Sequence, residues 1–179
     1  MKKLLLLSLL LASTQLNLHA QTFFADSLGH IKCTNCQAGD SGLVNGIYYT
    51  AVDRAMLDAK IQQGADLTKV CTSLVTDMSS LFSGNQTFNQ PIGNWDVSNV
   101  IDMNRMFMDN SSFNQPIGNW NINKVKNMDG MFHNTTSFNQ DISAWCPFMC
   151  SEPINFSNFL SLSFKPNWGI CFNIAGSIT

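Results

Sequence analysis

The residues best able to do chemistry are Cys33 and Cys36, spaced as Cys33-Thr34-Asn35-Cys36. That spacing suits a thiol–disulfide couple or half of a zinc site. A redox centre of this kind needs a helix starting at the motif, whereas Gln37-Ala38-Gly39-Asp40-Ser41-Gly42 follows, which reads as loop. A zinc site needs a second tight pair, and Cys71, Cys146, Cys150 and His30 do not supply one. Structural disulfides are the expectation for six cysteines in an exported chain. Cys33 or Cys36 would pair with Cys71, or with each other, and Cys150 has no deducible partner.

Other reactive groups are isolated. His30 and His133 have no neighbouring nucleophile and orienting acid in the sequence. Asp77, Asp102 and Asp129 sit on the polar side of a repeated pattern rather than forming a unique pair. A glycine-rich phosphate loop, a nucleophile elbow and calcium-loop spacing are all absent from the sequence. We therefore expect no catalytic residues, no cofactor and no metal. The segments Asn85-Gln86-Thr87, Asn110-Ser111-Ser112, Asn134-Thr135-Thr136 and Asn155-Phe156-Ser157 match the glycosylation pattern, and we expect most of them to be unmodified.

What must position any site is a stretch that repeats itself. Trp95, Trp120 and Trp145 lie 25 residues apart, and the same register aligns Val75/Val100/Val125, Met78/Met103/Met128, Phe82/Phe107/Phe132, Phe88/Phe113/Phe138, Asn89/Asn114/Asn139, Gln90/Gln115/Gln140 and Ile92/Ile117/Ile142. A period of this size marks stacked units, none of which can cover its own apolar face alone. Val100, Met103, Met106 and Phe107 recur at helical spacing behind Ser98, which predicts a short helix. Pro116 and Gly118 restrict the strand to about Trp120–Ile122. The expected class is α/β, a short solenoid of three helix-plus-short-strand units, with the amide columns read as structural.

The pattern Val-x-x-Met-x-x-Met-Phe, Phe-Asn-Gln and Ile-x-x-Trp, as in Val100–Phe107, Phe113–Gln115 and Ile117–Trp120, resembles the repeat of the BspA-like leucine-rich-repeat surface proteins of bacteria. The resemblance implies a surface-exposed leucine-rich-repeat-like fold that mediates adhesion or protein binding, and it carries over no binding residue. It also extends to the closing segment. There Cys146 follows the last repeat tryptophan and Cys171 follows Trp168-Gly169, so the resemblance implies a Cys146–Cys171 bridge. Closing that loop would contribute about 3 kcal/mol by the loop-entropy argument.

The organisation expected along the chain is a signal peptide over 1–20, an N-terminal capping region over 21–70, repeats over 71–145 and a disulfide-closed C-terminal cap over 146–179. Lys2-Lys3, the apolar run Leu4–Ala12 and Leu18-His19-Ala20 make the leader. Asn45-Gly46 between apolar runs predicts a hairpin, and Thr50 is expected to start a helix ended by Gly64. Without Lys2 and Lys3, eight basic residues face twelve acidic ones, a net charge of −4. That balance argues against nucleic acid or an anionic membrane surface, and no later stretch is apolar enough for a membrane span.

The function expected is that of an exported, non-enzymatic protein binding a protein or glycan at the cell surface. Ser83–Thr87, Met108–Ser112 and His133–Ser137 are the exposed variable positions. The alternatives are a structural spacer without a specific ligand and, less favoured by the loop context, a small thiol oxidoreductase using Cys33 and Cys36.

Overall fold

The computed structural model describes residues 20–147, 151–157, 164–166 and 168. The expected leader therefore lies outside the described residues, except for Ala20. The first ordered pieces are strands that alternate sides. β1 (Thr22–Ala25) pairs antiparallel with β2 (Ile31–Thr34), and Ile31 and Cys33 turn inward. β3 (Ser41–Val44) and β4 (Ile47–Ala51) form the second hairpin around Asn45 and Gly46, whose φ angles of 49° and 81° are the left-handed values this turn needs. β5 (Val70–Cys71) joins β4 in parallel, aligning Ala51 with Cys71. At Gly42 a side chain would run into the ring of Phe23, so glycine there lets β1 close on β3.

The helix α1 runs from Arg54 to Gln62, later than expected. Thr50 is still in β4, and the cap is Asp53 itself, which accepts a 2.8 Å bond from the Met56 amide. Leu57 is the buried anchor of α1, and Gly64 turns the chain away with a φ of 64°.

The expected helix-plus-strand solenoid is incorrect. Among the described residues the only α-helix is α1, which precedes the repeats, and the five strands fall in two small sheets ending at Cys71. The repeats contain neither the expected helix at Val100–Phe107 nor a strand at Trp120–Ile122. Left-handed residues are the physical reason. Ser80, Arg105, Gly130 and Asn155 have φ angles of 55°, 54°, 64° and 51°, one in each turn of the pattern. A single left-handed residue breaks the run of right-handed residues that an α-helix needs.

The amides freed by that break reach the next unit. Met78 N donates to Asp102 O and Phe82 N to Met106 O, both at 2.8 Å. One unit later, Met103 N donates to Asn127 O at 2.8 Å and Phe107 N to Met131 O at 3.0 Å. Tight turns such as Met106 N to Met103 O, 3.2 Å, bring apolar residues three apart to one side, which imitates helical spacing in the sequence. Asp77 Oδ1 accepts from Ser79 N and Asp102 Oδ1 from Asn104 N, each at 2.7 Å, while Asn127 does the same for Asp129 N at 3.1 Å.

Rings fill the space between units. Phe82, Phe107 and Phe132 stack with centroids 5.6 Å apart at each step, and Phe107 also lies 3.9 Å from Phe113 in its own unit. The row ends edge-on, with Phe156 at 5.4 Å from Phe132 and Trp168 at 5.1 Å from Phe156. Backbone pairing outlasts the sequence period: Gly130 N donates to Ile154 O at 2.9 Å and Phe132 N to Phe156 O at 2.8 Å. Offset and edge-on arrangements are those preferred by aromatic quadrupoles.

Candidate functional site

β2 and β5 converge on one cluster of thiols. Cys33 faces in from β2, Cys71 ends β5, and Cys36 follows the turn at Asn35, whose φ is 56°. The expected disulfides among these three are not present, and all three are free thiols. Cys33 and Cys71 lie in one apolar cluster, and Cys36 packs against it. Cys71 is fully buried, Cys33 nearly so, and Cys36 is partly open to solvent.

Their acidities diverge. Hydrogen bonding with Cys71, helped by burial, pushes the Cys33 thiol up. The same bond, with Ser73 assisting, lowers Cys71 to about 7 although burial opposes it. Burial raises Cys36, against a hydrogen bond with Cys33 that works to lower it.

A polar chain continues behind the thiols. Ser73 Oγ lies 3.4 Å from Cys71 Sγ, accepts from Cys33 N at 3.2 Å and donates to Asp96 Oδ2 at 2.6 Å. Asp96 is buried, and it also receives Lys32 Nζ at 2.8 Å and Ser98 Oγ at 2.6 Å. Burial alone would raise its pKa, but those three donors prevail and the carboxyl sits below its usual range. Asp26 holds His30 Nδ1 at 2.9 Å, and the other ring nitrogen of this buried histidine has no partner. Ser73 thus gives its proton to a carboxylate that is already neutralised by Lys32, an arrangement that braces the N-terminal strands against the first repeat.

Asp96 and Lys32 were missed in the sequence. The signal was available, since Asp96 is the only acid in a column otherwise filled by Cys71, Asn121 and Cys146.

The remaining expected sites are scattered. His133 lies in the third unit and Asp77, Asp102 and Asn127 form their own column, with Asp77 bridged to Asp102 and Asp102 to Asn127. Among the described residues no group of three or more His, Cys, Asp or Glu has the arrangement to hold a metal ion. Cys146 is disulfide-bonded; Cys150 and Cys171 lie outside the described residues. The variable turns are less open than expected: Asn110 and Thr135 are buried, Asn110 bonding Phe113 N at 3.0 Å and Thr135 bonding Phe107 O at 2.7 Å. In the amide columns, Asn89 Oδ1 accepts from Asn114 N and Gln115 Nε2, both at 2.9 Å, so its acceptor is used within the protein. A hollow of about 330 Å³ between the end of α1 and the first repeat, lined by Ile61, Leu67, Phe88 and Gln90, contains no titratable side chain.

Apolar surface remains on the β3–β4 hairpin. Leu43 and Tyr48 are directly opposed across the strands and 56% and 70% exposed, while the neighbouring Tyr49 turns inward.

Residues 50–163 match the profile of a family described as Mycoplasma protein of unknown function, DUF285. The chain belongs to DUF285. The DUF285 segment begins in β4 and takes in α1, the three repeats and Cys71, and it leaves Cys33, Cys36 and the β1–β2 hairpin outside. Comparisons with curated proteins and with solved structures give no match. Among the described residues no helix is long and apolar enough to cross a membrane.

Proposed function

We propose that this DUF285 member is a non-enzymatic binding protein exported to the cell surface, of the BspA-like surface-protein kind, and that its partner is another protein. The observation that carries the reading is the outward face of the β3–β4 hairpin, where Leu43 and Tyr48 stand side by side in water. A tyrosine beside aliphatic side chains is the composition of a protein-interface centre, because the ring gives a large contact area at small entropic cost. A glycan site would set flat rings among free amide or carboxylate acceptors, whereas in the amide columns Asn89 Oδ1 is already used by Asn114 N and Gln115 Nε2. Family membership and the leader-like start of the chain support export.

The test is binding of the purified mature chain to intact cells. Saturable binding that protease treatment of the cells removes, and that Leu43→Ser with Tyr48→Ser weakens by at least about tenfold, is expected. Binding that the double substitution leaves unchanged, or that periodate removes and protease does not, contradicts the proposal.

A further inference from the structure

Three free thiols gathered at one apolar cluster form an arrangement that a simple structural bridge does not require. The geometry points to a single-use disulfide staple: Cys36 takes up oxidising equivalents from a low-molecular-weight disulfide and passes them inward, ending as a Cys33–Cys71 bond between the two N-terminal sheets. Cys33 and Cys71 share one apolar cluster with Cys36 packed against it, and Ser73 Oγ lies 3.2 Å from Cys33 N and 3.4 Å from Cys71 Sγ, so the three thiols are neighbours. Access is graded, with Cys36 partly open and Cys71 sealed, so an external disulfide meets Cys36 first.

The chemistry balances. The Cys36 thiolate attacks the external disulfide, forming a mixed disulfide and releasing one small thiol. Cys33 attacks the Cys36 sulfur as its proton passes to the departing small thiolate, which leaves as the second small thiol. Cys71 then attacks the Cys33 sulfur, and Cys36 leaves as a thiolate that recovers a proton. In sum, two protein thiols become one disulfide and one external disulfide becomes two thiols, with Cys36 regenerated. Cys71 suits the last attack, because its pKa of about 7 lies near ambient pH, where a thiol is most effective as attacking group.

Burial and topology set the end point. Cys33 and Cys71 share one apolar cluster with Ile31, Val44, Tyr49 and Ala51, and a disulfide between them leaves no buried thiolate. Cys36 keeps its place near Thr34 O at 3.4 Å, at the solvent edge. The bond would also close a long loop, from β2 to β5, where a Cys33–Cys36 bond constrains only four residues.

The test uses the full mature chain, mildly reduced, with oxidised glutathione as probe, acid quenching and peptide mapping. A Cys33–Cys71 disulfide as end product, with no glutathione retained, is expected. The Cys36→Ser variant, altered only at a partly exposed position, should reach that product about tenfold more slowly or worse. A Cys33–Cys36 end product overturns the proposal. So does a lasting glutathione adduct on Cys36 with Cys33 and Cys71 still reduced, or a Cys36→Ser variant that oxidises at the unaltered rate.

Discussion

Gly118 lies directly against the backbone carbonyl of Asp141 in the following unit, closer than any side chain allows. Gly93 stands the same way to Pro116, where an added Cβ would lie 2.6 Å from the carbonyl oxygen. In the third unit the same column holds Ser143, which is exposed. Glycine is present at the two points where a carbonyl of the next unit comes this close.

Replacing Gly118 with alanine is therefore expected to destabilise the protein by about 1–3 kcal/mol, since the obstructing atom is backbone and cannot swing away. Ser143→Ala should stay within about 0.5 kcal/mol. Urea unfolding of the two variants checks this, and equal effects would contradict the close approach.

Phe107 touches rings on three sides, at 5.6 Å to Phe82, 5.6 Å to Phe132 and 3.9 Å to Phe113. Phe107→Ala leaves a cavity in the middle of the row and is expected to cost about 3–5 kcal/mol. The same measurement reads it, and a loss under about 1 kcal/mol would mean the rings are not packed as described.

Much of this was legible from spacing and some was not. The columns of Phe, Met, Trp and Val are in the sequence because each must meet its copy, and Asn45-Gly46 announces its hairpin because few other pairs tolerate two left-handed residues. The helix was misread for a definite reason. Val100, Met103, Met106 and Phe107 have helical spacing, but the residue that decides the backbone is Arg105, an ordinary helix former whose left-handed φ is imposed by the hydrogen bonds its neighbours make to the next unit. The column of Gly93, Gly118 and Ser143 was readable and overlooked. Asp96 stood out as an acid in its column, but its pairing was hidden because Lys32 is 64 residues away. The continuation of pairing through Phe156 has no counterpart in the repeat columns, since backbone bonds do not require matching side chains.

Asp96 also makes a pH prediction. Its carboxyl is held below the ordinary value, so the stability it contributes is complete above the unfolded pKa, about 3.9, and is lost as pH falls through the folded pKa. Asp96→Asn should cost about 2–4 kcal/mol at neutral pH by leaving Lys32 without its carboxylate. It should also flatten the fall in stability below about pH 4. An unchanged acid limb in the variant would contradict the account.

Binding and folding should separate on adjacent tyrosines. Tyr48, 70% exposed, is expected to accept serine within about 0.5 kcal/mol. Tyr49, 8% exposed, should lose about 2–4 kcal/mol on the same change. Thermal unfolding of both variants decides whether Tyr48 is free for a partner.

The central structural claim is that the repeats are joined amide to carbonyl across units although they contain no helix or strand. Residue-resolved hydrogen exchange tests it most directly, at Met78, Phe82, Met103 and Phe107, whose amides donate to Asp102, Met106, Asn127 and Met131. The account predicts that these four amides are strongly protected and open together with the core. Exchange at the rate of unstructured loop amides would contradict it.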